Sequence, residues 1–126
     1  MNPRFLNPFA ALALVVSAAV GCGGSVDNRP AKWSYIYPVI IQPNCATANC
    51  HSTLSQRKGV KLDTIEHAYN AAKTWGGFVP NLRSTSKVYP RMPPDAPMPD
   101  PDIALIESWS DAGKPWDGPG AEPSFP

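Results

Sequence analysis

Six prolines fall within the stretch "VYPRMPPDAPMPDP", from Pro90 to Pro101. Each fixes φ at about −65° and removes a backbone donor, so this stretch is excluded from a helix interior and from a central strand. It is instead a stiff connection, closer to polyproline than to a floppy loop. A stiff connection can hold side chains in place. Two that it holds are Met92 and Met98, the only methionines beyond the initiator.

On either side of this connection the apolar spacing is helical. In "WSYIYPVII", Trp33, Ile36, Tyr37 and Ile40 fall on one face, and Pro38 is tolerable only in the first turn. In "DTIEHAYNAAKTW", Asp63 can cap and Glu66 can complete a capping box; Ile65, Ala68, Tyr69, Ala72 and Trp75 form a stripe, and Gly76 and Gly77 stop it. In "DPDIALIESWSDAG", Asp100 is the expected N-cap and Pro101 the first helical residue. Ile103, Leu105, Ile106, Trp109 and Ala112 are its expected buried face, and Gly113 its end. No segment alternates as a strand. The predicted class is therefore all-α, a small three-helix domain.

The ends of the chain read differently from this core. Arg4 precedes the apolar run "FAALALVVSAAV", and small residues lead from it to Cys22, the layout of a secretory signal over residues 1–21. The run is too short to span a bilayer. Its end, "AVGC", resembles a bacterial lipobox, with Ala19 where leucine is usual. The resemblance implies that Cys22 is acylated and becomes the mature N-terminus. Gly23 follows instead of the aspartate that retains enteric lipoproteins at the inner membrane, so the outer membrane is favoured. Residues 22–31 read as a flexible tether, 32–116 as the domain and 117–126 as an irregular tail.

Without residues 1–21, ten basic side chains face ten acidic ones, which excludes a general nucleic-acid binder. The charges are segregated along the chain. From Arg29 to Arg91 nine cations meet only Asp63 and Glu66, whereas from Met92 onward seven acids meet only Lys114. Either a docking surface or two separately solvated regions can follow from such a pattern.

Against this background stands "CATANCHS", residues 45–52. In an exported chain two nearby thiols can form a disulfide, here Cys45 to Cys50, but that leaves His51 unexplained. Zinc needs further ligands, and the only other histidine, His67, lies about 200° round its helix from Ile65, away from the buried stripe. The third reading is haem. In C-x-x-C-H, two thiols add to the vinyl groups of one porphyrin and the adjacent histidine reaches the iron. The spacing here is C-x-x-x-x-C-H, and the small residues Ala46, Thr47, Ala48 and Asn49 suit an outward bulge between the two attachment points.

The stretches "YPVIIQPNCATANCHS", "GVKLDTIEHAY" and "RMPPDAPMPDPDIALIESWSDAG", in this order, resemble the small class I cytochrome c domains of environmental bacteria. The resemblance spans residues 33–116 and departs from the family in the cysteine spacing and in Met98, where leucine is more usual. It implies one covalent haem c wrapped by the three helices, with Cys45 and Cys50 as thioether anchors, His51 as proximal ligand and Met92 as distal ligand. It further implies an electron carrier with no enzymatic activity, held on the periplasmic side of a membrane by its lipid anchor and exchanging electrons with redox partner proteins. The alternative is a haem-free, lipid-anchored structural or binding module with a Cys45–Cys50 disulfide. With a haem disc as core, the haem-free chain is expected to be poorly ordered.

Overall fold

Helix α1 carries two prolines, Pro38 and Pro43, and still runs unbroken. In the computed structural model, which describes residues 26–123, α1 is an α-helical turn over Trp33–Ile36, a π-helical turn over Tyr37–Ile41 and a second α-helical turn over Gln42–Cys45. Pro38 thus lies beyond the first turn, where the sequence rule had confined it. Its nitrogen has no proton to give the Ser34 carbonyl, and its ring crowds that carbonyl. Widening the turn relieves the conflict: the Gln42 amide reaches back five residues to the Tyr37 carbonyl.

Helix α2 covers Ile65–Thr74 and buries Ala68, Tyr69 and Ala72. Its cap is Thr64, not Asp63: the Thr64 hydroxyl oxygen accepts from the His67 amide at 3.1 Å. Asp63 is engaged elsewhere, accepting from the amide of Thr53 at 2.7 Å and from its hydroxyl, so the box with Glu66 does not form. Trp75, expected on the stripe, is 39% exposed. Trp75 is itself the extended C-cap residue, off the helical stripe, and its ring meets Phe78 edge-on at 6.2 Å.

Helix α3 covers Asp100–Asp111 and starts one residue earlier than expected, with Pro99 as N-cap. Ile103, Leu105, Ile106 and Trp109 are buried as the spacing predicts, whereas Ala112 lies past the last turn and is exposed. Gly113, at φ +91°, takes the left-handed position that closes the helix. Its amide donates to Ser110 and that of Lys114 to Trp109, satisfying two end carbonyls. Among the described residues there is no strand, so the all-α class holds.

The core is aromatic. Trp33 of α1 stacks on Trp109 of α3 with centroids 4.6 Å apart, and Tyr69 of α2 stands edge-on to Trp109. Each polar tip leaves the core toward a carbonyl: Trp33 Nε1 donates to Ile65 at 3.0 Å, Trp109 Nε1 to Pro115 at 3.0 Å and Tyr69 Oη to Lys114 at 2.9 Å. These bonds let amphipathic rings be fully buried without an orphaned donor. Ile36, Ile40, Ile41 and Ile106 fill the remaining space.

The described parts of the segments predicted to be loose are irregular but fastened. The Asp117 carboxylate accepts from the amide and hydroxyl of Ser34 at 2.9 and 2.7 Å, covering the open start of α1. Trp116 packs edge-on against Tyr69, and Glu122 accepts from Lys73 and, at 3.0 Å, shares the single Tyr69 hydroxyl proton with Lys114 O. At the other end Arg29 pairs with Asp102 of α3 at 2.5 Å. Arg83 pairs with Glu107 and Asp100 of the same helix at 2.7 and 2.8 Å. Arg29, Lys73 and Arg83 of the basic half are thus paired with acids of the later half.

Candidate cofactor site at the cysteine loop

Cys45 owes its position to the π-helical turn. In an uninterrupted α-helix the residue three turns after Trp33 would be Asn44, so Asn44 would face the core. A π turn takes one extra residue to close, about 100° of lag for everything after it. Cys45 therefore comes onto the core side, where it is half-buried against the hydrophobic cluster. Asn44 is exposed and stays at the edge of the same cleft, its side-chain amide donating to Ile40 O at 2.7 Å.

From Cys45 the chain turns back on itself through short-range hydrogen bonds. The Cys50 amide donates to Thr47 O at 3.0 Å and the His51 amide to Cys45 O at 3.1 Å. Cys50 O accepts from the Arg57 amide at 3.1 Å and from Ser55 Oγ at 2.6 Å. The Leu62 amide donates to His51 O at 2.7 Å, tying the loop to the strand-like approach to α2. The two cysteines and the histidine are in this way fixed relative to one another by their own backbone.

Met92 reaches the same place from the proline-rich connection. Its amide donates to Asn81 O at 3.0 Å, and Asn81 is itself buried in the 3-10 turn Pro80–Leu82. Nothing in the sequence marks Asn81 for this role, because the link runs through its backbone carbonyl. Cys45, Cys50, His51, Met92 and the prolines that follow Met92 line one cleft of about 240 Å³. Met98 is elsewhere: it is 5% exposed and joins the core, where it lines a separate groove with Leu82 and Ile103.

The chemistry of the cleft is soft and apolar. Both thiols are unbridged. Burial, and secondarily the neighbouring Cys50, pushes the Cys45 thiol up to about 12, so it is protonated at neutral pH. Nδ1 of His51 is buried and has no hydrogen-bond partner. An imidazole held this way in an apolar cleft is a costly feature for packing alone. His67 is outside the cleft, with its Nδ1 3.6 Å from Asp63 Oδ1. Among the described residues no three His, Cys, Asp or Glu side chains are grouped as a metal site, and no helix is long and apolar enough to cross a membrane. Cys22 and the signal segment lie outside the described residues.

Compared with known proteins, the chain matches no family model, no curated protein and no solved structure.

Proposed function

We propose that this protein is a one-electron carrier, a small cytochrome c whose single covalent haem is held at Cys45, Cys50, His51 and Met92. The observation that carries the proposal is that these four side chains, from two separate segments, line one cleft. Two thiols, one imidazole and one thioether form the donor set of a His/Met c-type haem. The orphaned Nδ1 of His51 fits an imidazole that serves as a ligand rather than as packing.

In this reading Cys45 and Cys50 would hold the haem covalently through their sulfurs, each thiol giving its hydrogen to the group it attaches to, and His51 and Met92 would be the nitrogen and sulfur ligands from the protein. The haem would supply a centre that gains and loses one electron, and two protein ligands would leave no place for a substrate, which favours electron exchange over catalysis. A thioether is a weaker donor to ferric iron than imidazole, so Met92 raises the potential relative to two histidines. Membrane attachment through acylated Cys22, on the periplasmic side and with redox partner proteins in reach, completes the proposal.

The test is an absorbance scan of the purified native protein, followed by haem staining of a denaturing gel. A Soret band that stays with the denatured polypeptide is the expected result. A colourless protein, from cells that mature other c-type cytochromes, would overturn the proposal and leave the disulfide-bearing module.

A further inference from the structure

The two prolines of α1, Pro38 and Pro43, stand on either side of the widened turn. In an α-helix the amide at position 38 would donate to the Ser34 carbonyl and that at position 43 to the Val39 carbonyl, and neither proline has a proton to give. Between them the Gln42 amide closes the turn on the Tyr37 carbonyl, so the chain spends one residue more than an α turn needs. Tyr37, Ile40 and Ile41 of this turn are buried, whereas Val39 is 49% exposed. Val39 is thus the residue that the turn can lose without opening the core.

The surplus residue matters beyond the turn. At a constant 100° per residue Asn44 would hold the core side, and Cys45 would lie about 100° round from it. With the turn widened, Cys45 packs against the hydrophobic cluster, and its carbonyl accepts from the His51 amide at 3.1 Å. The thiol that opens the cysteine loop and the backbone that holds its histidine therefore both take their bearing from the register of α1.

We propose that Pro38 and Pro43 are positioning residues of the cleft: together they hold α1 in the register that presents Cys45, and so decide whether a cofactor is attached at both sulfurs or at Cys50 alone. The inference rests on the haem reading for the use made of the thiol, and on the helix alone for its placement. A proline that acts through stability is replaced by anything that restores stability. Prolines that act through register are replaced by one kind of change, removal of a residue between Trp33 and Cys45, which turns Cys45 back by about 100° in an uninterrupted α-helix.

The test compares the full-length wild type with a Pro38→Ala, Pro43→Ala double variant and with the same double variant lacking Val39. Alanine restores both amide protons and has the highest helix propensity, so both variants are expected to form an ordinary α-helix here. One readout is the α band of the reduced pyridine complex of the haem-loaded proteins, which moves to longer wavelength for each vinyl group left unattached. The other is the alkylation rate of each cysteine, mapped by mass spectrometry, in reduced full-length chains made without haem maturation. In the wild type Cys45 should react more slowly than Cys50. The double variant should show the shifted band and a Cys45 that reacts as fast as Cys50, and removal of Val39 should return both readouts to those of the wild type. A double variant with an unshifted band and a slow Cys45 would overturn the inference, leaving the packing of Ile40 and Ile41 as what sets the turn. Equal cysteine rates already in the wild type, or failure of the deletion to restore either readout, would overturn it too, the latter leaving the prolines a role in stability alone. A wild type that carries no haem yet shows the expected alkylation pattern would overturn the haem reading and leave the placement of Cys45 standing.

Discussion

Met92 and Met98 are six residues apart in one stiff connection, yet the structure gives them opposite surroundings, and substituting each by alanine should separate ligation from packing. Met98 is 5% exposed in the core beside Leu82 and Ile103. Truncating a buried methionine costs about 2–5 kcal/mol. With a value of about 3 kcal/mol in a domain of roughly 100 residues, Met98→Ala should lower Tm by about 12–24 °C. The haem ligation should be unchanged in the fraction that remains folded. Met92 is only half-buried, and its anchor to Asn81 runs through its amide, which alanine keeps. Met92→Ala should therefore disturb the core little. It should abolish the weak charge-transfer band at the red edge of the ferric spectrum, lower the potential and let carbon monoxide bind the reduced iron. The assays are thermal unfolding by circular dichroism and ferric and ferrous absorbance spectra. If Met98→Ala removes the band and Met92→Ala leaves it, the assignment of the distal ligand is wrong by six residues. If Met98→Ala leaves Tm unchanged, the core described here is wrong as well.

Other perturbations follow from the same packing. Trp33→Ala removes a fully buried ring stacked on Trp109 and leaves Ile65 O without its donor; at about 3–5 kcal/mol for the ring alone, it should take most of a domain's usual stability and move the denaturant midpoint sharply down. The Lys73 ammonium, and then the Tyr69 hydroxyl, hold the Glu122 carboxyl below its ordinary range. A depressed carboxylate contributes stability above its unfolded pKa of about 4.5 and loses it as pH falls through the folded value; Trp116 fluorescence should therefore report release of the tail in acid, and Glu122→Gln should remove that transition. Cys22→Ala should release a soluble haem protein into the periplasm on cell fractionation, and a wild type that already fractionates as soluble would refute the lipid anchor.

What could be read from the sequence and what could not differ for physical reasons. Helices α2 and α3 were legible because Ala68, Tyr69, Ile103 and Trp109 repeat at the helical period. The cap of α2 shifted by one residue because capping is a competition: Thr64 took the cap once Asp63 was drawn to Thr53. The register of α1 was not legible. Periodicity assumes a constant turn, and the π-helical turn that follows from Pro38 moves Cys45 onto the face that Asn44 would otherwise hold. The four candidate ligands were legible as types and spacing, but their convergence was not, since Met92 is placed by a backbone bond to Asn81.

The same separation of core and cleft bears on what the proposed haem would do for folding. The sequence expectation is that the disc supplies the core and that the chain without it is poorly ordered. In the structure the stacked Trp33 and Trp109, with Tyr69 and the isoleucines, close on one another, and the cysteine cleft lies at the edge of this cluster. The cleft side is the weaker part: residues 53–59 are exposed, and the loop is held mainly by local backbone bonds. Regions with few buried contacts open at lower free energy than the core they border. A Cys45→Ala, Cys50→Ala variant, which cannot attach haem, should therefore lose order unevenly. Amide hydrogen exchange should retain protection at Ile40, Ala72 and Ile106 in the three helices, and lose it at His51, Arg57 and Met92 around the cleft. Uniform loss of protection across both groups would show that the aromatic cluster cannot stand alone and that the haem is its missing part. Uniform retention would show that the cleft is rigid without a cofactor.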